Sequence, residues 1–247
     1  PDSFSDGGHY TGLEAALTHA RKLVAQGAEV LDIGGESTRP GADPVSAEDE
    51  ISRVAPLIEA LSKEWQGVIS IDTMKPAVAK VAIQAGASVW NDVSALTYAS
   101  DSLATAVELG CEIILMHMKG NPKTMQAAPA YQDVVAEVVR HLSAKADEAV
   151  AAGVDRGKIW LDPGIGFAKG LEHNLALTAH LKTLCDLGYP VLYAASRKRM
   201  IGEIDVAAQE ASDRLGGTLA LHLEGARQGA AMVRVHDVRE MVQALKV

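Results

Sequence analysis

Short unbroken apolar runs alternate along this chain with longer stretches in which apolar and polar residues recur at helical spacing. The runs predict strands at 28–33, 68–71, 88–90, 112–116, 158–162, 191–195 and 231–235. The longer stretches predict helices at 13–26, 47–65, 76–85, 102–109, 131–152, 174–187 and 212–228, with a last one from Val238. Gly27, Gly86, Gly110 and Gly188 stand where helices should stop, and Pro76 suits a first turn. Continuous apolar strands, rather than alternating ones, are the mark of parallel strands buried on both faces. A seven-fold strand–helix repeat that opens on a loop and a helix needs one more strand in front. The expectation is therefore a (β/α)8 barrel forming a single domain over 1–247, its first strand lying before residue 1. An open doubly wound sheet is the alternative, but it gathers ligands at one switch point, whereas nearly every strand here ends in a polar group.

Those polar ends are the candidate site, because barrel sites lie at the carboxyl ends of the strands. Asp72, Asn91, Asp162, Lys198, Arg234 and His236 form the expected ring, with Thr38 and Arg39 in a neighbouring loop. Asp162 stands at the head of Leu161-Asp162-Pro163-Gly164-Ile165-Gly166-Phe167-Ala168-Lys169, where proline ends the ladder and the glycines allow a tight turn. A carboxylate there needs partners or burial is costly. Asp72, Asn91 and Asp162 suit a flat heterocycle that shows adjacent N–H groups, with helix capping as the competing role for Asp72 and Asn91. Arg39, Lys198, Arg234 and His236 suit a phosphate-type anion, with solvated surface charge as the competing role. The chain has only two phenylalanines, Phe4 and Phe167, and both lie in glycine-bearing loops where a ring can stack on a flat ligand or pack the loop. His117 reads as a structural histidine. No residue set has zinc spacing; a hard ion such as Mg²⁺, carried by a diphosphate, fits the chemistry better.

Composition narrows the partners. The 247 residues are 48% hydrophobic and carry a net charge of -9, which argues against nucleic acid, whose binders need a basic footprint. No apolar run approaches the roughly eighteen residues that suggest a membrane span. The two cysteines, Cys111 and Cys185, are far apart and point to a reducing, cytoplasmic setting. The chain begins at Pro1 inside a loop-like stretch, so a preceding targeting segment is left open.

Taken in order, the motifs resemble the dihydropteroate synthase family. Pro1-Asp2-Ser3-Phe4-Ser5-Asp6-Gly7-Gly8 and Asp32-Ile33-Gly34-Gly35-Glu36-Ser37-Thr38-Arg39-Pro40-Gly41 are similar to its two active-site loops. Ile71-Asp72-Thr73, Asn91-Asp92, Met116-His117-Met118, Asp162-Pro163-Gly164, Ser196-Arg197-Lys198 and Arg234-Val235-His236-Asp237 follow in the family's order. The resemblance implies a transferase of folate biosynthesis and a sulfonamide target. It would join 6-hydroxymethyl-7,8-dihydropterin diphosphate to 4-aminobenzoate with release of diphosphate. It implies that Lys198, Arg234, Asp162 and Arg39 are catalytic. Asp72, Asn91, Met116, Asp162, Phe167 and Lys198 would bind the pterin, and Thr38, Arg234, Val235 and His236 the diphosphate end. Phe4, Arg39 and Pro40 would shape the aminobenzoate side. Mg²⁺ and a homodimer are implied too, the family's metal-binding Asn lying before residue 1. Arg199 stands where many members have Ser, and two placements are open: against the aminobenzoate carboxylate, or away from it. A pterin-dependent corrinoid methyltransferase is the alternative; it shares the barrel and the pterin acids but needs no diphosphate clamp.

Overall fold

In the computed structural model, which describes residues 12–37, 43–120 and 130–247, helix and strand alternate in the order that the apolar runs predict. Helix α1 (Leu13–Ala25) leads into β1 (Val30–Ile33), α2 (Ala47–Glu64) and β2 (Val68–Asp72). Then come α3 (Pro76–Ala85), β3 (Val89–Asp92), α4 (Ser102–Leu109) and β4 (Glu112–Met116). Helix α5 (Val134–Ala152), β5 (Ile159–Asp162), α6 (Leu171–Ala179) and α7 (Leu181–Cys185) follow. The chain continues through β6 (Leu192–Tyr193), α8 (Arg199–Ile204), α9 (Leu215–Arg227), β7 (Met232–Val233) and α10 (Val238–Lys246).

Helix ends follow local chemistry. Ser46 accepts the Asp49 N–H and starts α2. Asp133 accepts the Ala136 N–H, so α5 begins at Val134, three residues later than its apolar pattern predicts. Gly86 takes the left-handed conformation after α3, at φ 119°, where a side chain would be strained. The 174–187 helix is split after Ala179. The Gln228 side chain sits in the break, donating to the Thr178 carbonyl and accepting from the Lys182 N–H. Helix α8 is an addition, because Gly202 weakened its signal in sequence.

All strand pairs are parallel. β1 to β5 are neighbours in chain order, β6 pairs with β7, and a Leu161–Val191 bridge joins β5 to the β6 side. The order never reverses, as a doubly wound sheet requires. The fold is a (β/α)8 barrel, with seven strands among the described residues. Side chains then sort by alternation. Leu31, Ile69, Ile71, Trp90, Ile113 and Leu115 face the helices in the main core. Val89, Ile114 and Leu192 form a separate cluster in the barrel interior, with Trp160 and Met232 against it. Alternation puts Asp32, Ser70, Asp72, Asn91 and Asp162 on that inner face as well, and Arg234 two residues beyond Met232.

Candidate active site

Register brings the strand-end groups level. Asp72 lies beside Asn91, and Met116 beside Asp162. Asp32, two residues further down the inner face, joins them: Asn91 Nδ2 donates to its carboxylate at 3.2 Å. Sequence reasoning gave Asp32 no role. The available signal was period two, since a lone carboxylate between Leu31 and Ile33 must face away from the helix-side core. Arg234 crosses the mouth and pairs with both acids, its Nε 2.6 Å from Asp32 and its terminal nitrogen 3.0 Å from Asp72. Burial and the Asp32 carboxylate push Asp72 up to about 7, with Arg234 opposing. Asp32, aided by Asp72, holds the Arg234 guanidinium above its usual value, and desolvation among the strand ends offsets only part of this. The acids and Arg234 therefore form one cluster at the strand ends. Arg234 is half-exposed yet rests on the acids themselves.

The β5 turn builds the next wall. Asp162 is buried and accepts the Gly164 N–H at 2.7 Å. Burial raises its carboxyl, and the Lys198 ammonium opposes that. Gly164 and Gly166 both have positive φ, at 68° and 82°. A Cβ on Gly164 would lie 2.1 Å from the His117 carbonyl oxygen, so only glycine fits. Lys198 donates to the Ile165 carbonyl, and its ammonium lies 4.9 Å from the centre of the Phe167 ring. Burial pulls Lys198 down to about 8, against the attraction of Asp162. Arg234 thus lies near enough to act on the ionisation of Asp72, Asp162 and Lys198, and both Asp162 and Asp72 act on Lys198.

His236 closes the ring. Ser196 bonds to its Nδ1 at 2.9 Å and accepts its backbone N–H. Arg197 pairs with Asp237, tying the β6 loop to the β7 loop. Arg199 is exposed and pairs with Glu203, i to i+4 on α8, which decides its placement in the free protein. Met116 is buried at the end of β4. His117 is buried and structural in its contacts, and burial with the nearby Lys169 ammonium pushes it down to about 2. Phe4, Thr38, Arg39 and Pro40 lie outside the described residues.

A cavity of about 1850 Å³ runs from Asp72, Asn91, Phe167, Lys198, Arg234 and His236 down through the barrel to Trp160 and Leu245. That exceeds the roughly 300–1,000 Å³ of a ligand pocket, so volume alone does not place a ligand. The polar groups crowd its upper end. There, carboxylates and an amide offer acceptors to N–H donors, beside two cations that can meet an anion. Among the described residues no group of three or more His, Cys, Asp or Glu side chains could hold a metal ion.

The profile of the family described as "Pterin binding enzyme" matches residues 1–236. The chain is 45% identical over 247 residues to the dihydropteroate synthase of Escherichia coli strain K12, covering 100% of this chain and 86% of that protein. Among solved structures, Yersinia pestis dihydropteroate synthase in a sulfonamide drug complex superposes with a TM-score of 0.95 at 42% identity, over 100% of this chain and 88% of that one. Xanthomonas albilineans dihydropteroate synthase with 4-aminobenzoic acid gives a TM-score of 0.91 at 46% identity, over 98% and 86%.

Proposed function

The chain belongs to the dihydropteroate synthases of the pterin-binding enzyme family, and from that premise we infer how its site divides the reaction. The enzyme is a transferase of folate biosynthesis. It condenses 6-hydroxymethyl-7,8-dihydropterin diphosphate with 4-aminobenzoate, giving 7,8-dihydropteroate and diphosphate. In that reaction the methylene C–O bond breaks and its electron pair leaves with diphosphate. The aromatic amine forms the new C–N bond and loses a proton.

The observation that carries our assignment is the meeting of Asp72, Asn91 and Asp162 with Lys198 and Arg234 at one set of strand ends. Asp72, Asn91 and Asp162 take the N–H donors of the pterin, with Met116 and Phe167 packing on the ring. Asp32 belongs with these acids by its contacts to Asn91 and Arg234. Arg234, Val235 and His236 take the diphosphate with Thr38. Arg39, Phe4 and Pro40 belong to the aminobenzoate side. As the C–O bond stretches, positive charge grows on the pterin methylene and negative charge on the leaving group. Fixed carboxylates favour the first and Lys198, Arg234 and Arg39 the second, without reorganisation and with no covalent enzyme intermediate. Binding must move Arg234 from the acids to the diphosphate, so the same residue neutralises the free site and clamps the substrate.

Mg²⁺ enters as a companion of the diphosphate, whose oxygens suit a hard cation; no protein ligand is assigned and no step runs through it. Residues 1–247 are read as one barrel domain that works as a homodimer. No described helix is long and apolar enough to cross a membrane. A cytoplasmic setting is supported by the two free cysteines.

Diphosphate release, measured with both substrates and with or without Mg²⁺, tests the reading. Asp162→Ala should weaken pterin binding by calorimetry. Arg234→Ala should weaken diphosphate-bearing pterins far more than diphosphate-free ones, measured above pH 8 so that Asp72 stays ionised in the variant. Equal losses for both ligands would remove Arg234 from the clamp.

A further inference from the structure

Lys169 ends the β5 motif, and the reaction as assigned gives it no task. It is 4% exposed, an unusual place for an ammonium. Its Nζ lies 3.0 Å from His117 Nδ1, 3.1 Å from the His117 carbonyl oxygen and 2.9 Å from the Phe167 carbonyl oxygen. In its ammonium form Lys169 has three protons, one for each of these three partners, although burial pulls it down to about 7. They join two separate loops, one following β4 and one following β5. The same two loops touch where Gly164 passes the His117 carbonyl too closely for any side chain.

The turn that Lys169 holds is not relaxed. Ala168 has φ 50°, a left-handed value that a non-glycine residue keeps only when its surroundings insist. Its carbonyl accepts from the Tyr131 hydroxyl at 3.0 Å, and Asn174 accepts the Gly166 N–H. Phe167 thus sits between two lysines: Lys169 holds its carbonyl, and Lys198 lies near its ring while donating to Ile165.

We propose that Lys169 is a positioning residue for the pterin subsite, fixing the Phe167 ring by tying that residue's carbonyl to the backbone and imidazole of His117. The proposal rests on the reading in which Phe167 packs on the pterin. A lysine that merely stabilised the barrel would lower stability without acting through Phe167, and a double-mutant cycle separates the two roles.

The variants are Lys169→Met, Phe167→Ala and the double variant. Pterin diphosphate affinity is measured by calorimetry, with KM for each substrate and the thermal midpoint alongside. Phe167→Ala should weaken pterin diphosphate by about tenfold or more, the scale of a lost ring-stacking contact, and Lys169→Met, acting through that ring, by a similar factor. KM for 4-aminobenzoate at saturating pterin diphosphate should move less than about twofold, since that side draws on other residues. The double variant should be no weaker than Phe167→Ala alone. Additive losses, or wild-type affinity in Lys169→Met, would overturn the proposal while leaving the role of Phe167 standing. Wild-type affinity in Phe167→Ala would instead overturn the Phe167 reading, and this proposal with it. If Lys169→Met does not fold, Lys169→Gln, a shorter neutral donor, replaces it in the same cycle.

Discussion

Asp72 and Asp92 end neighbouring strands, yet their surroundings give them opposite work. Asp92 is fully buried, and its oxygens accept from the Ser94 N–H and hydroxyl and from the Leu96 N–H. It pins a turn in which Ala95 and Leu96 both have positive φ. Burial raises Asp92 to about 6, and the Ser94 bonds hold it from rising further. Among the described residues Asp72 has no such backbone donors and pairs with Arg234. Its raised pKa means that the ionised form is lost already as pH falls through about 7. Pterin affinity should therefore drop below that pH, and Asp72→Asn should bind weakly with a flat profile. The stability sign is the reverse. A carboxyl raised in the folded state stabilises fully below its unfolded value, near 4, and that contribution is lost as pH rises to about 7. Asp72→Asn, which cannot ionise, should thus be more stable than wild type at pH 8 by a few kcal/mol, roughly, and lose the advantage below about pH 4. Urea melts at the two pH values check this; a destabilised variant at pH 8 would contradict the buried-charge account.

The loop after β1 shows how elements are fastened to the barrel. Lys75, at the start of α3, reaches Glu36 at 2.7 Å and Glu50 of α2 at 2.6 Å. Burial pulls the Lys75 ammonium down, but its bonds to the two carboxylates outweigh this and raise it. Glu36 also accepts the Val45 N–H, and Arg53 donates to the Gly35 carbonyl, so both ends of the loop are tied to one buried charge cluster. Removing the Lys75 ammonium would leave two carboxylates facing each other without it. Lys75→Met should cost about 3–5 kcal/mol in equilibrium unfolding, the scale of a broken buried pair. A loss within about 0.5 kcal/mol, typical of surface sites, would show that the cluster is solvated in solution. None of this was legible in sequence, since Glu36, Glu50 and Lys75 belong to different elements. Nor was the break between α6 and α7, which comes from the Gln228 side chain some fifty residues away.

Across the whole barrel, the assigned ligand would touch the ends of β2, β3, β4 and β5 and the loops after β6 and β7. Each is secured by its own helix, so a bound ligand links units that otherwise meet only their neighbours. At a hundredfold excess over its Kd, pterin diphosphate should add about 2.7 kcal/mol. For a chain of this size that is a rise of roughly 5–10 °C in Tm. Calorimetric scans check it, and Asp162→Ala should lose most of the shift. An unchanged Tm in the wild type would mean that no such ligand bridges the strands. Gly217 and Gly225 are needed where α9 passes Ile201 and Tyr193 of its own chain.

Sequence alone determined the parallel barrel and the ring of polar strand ends, because both are local. An apolar run names a strand, a glycine or proline ends it, and the next polar residue must then stand at the mouth. Asp72, Asn91 and Asp162 stand where that rule puts them, and Lys198, Arg234 and His236 lie within a few residues of a strand end. Only the tertiary structure decided which of these groups hold each other. The union of Arg234 with Asp32 and Asp72, and the three bonds of Lys169, join residues up to 202 positions apart. Charge and hydrogen-bond energies depend on separations of a few ångströms, and no periodicity along the chain records those.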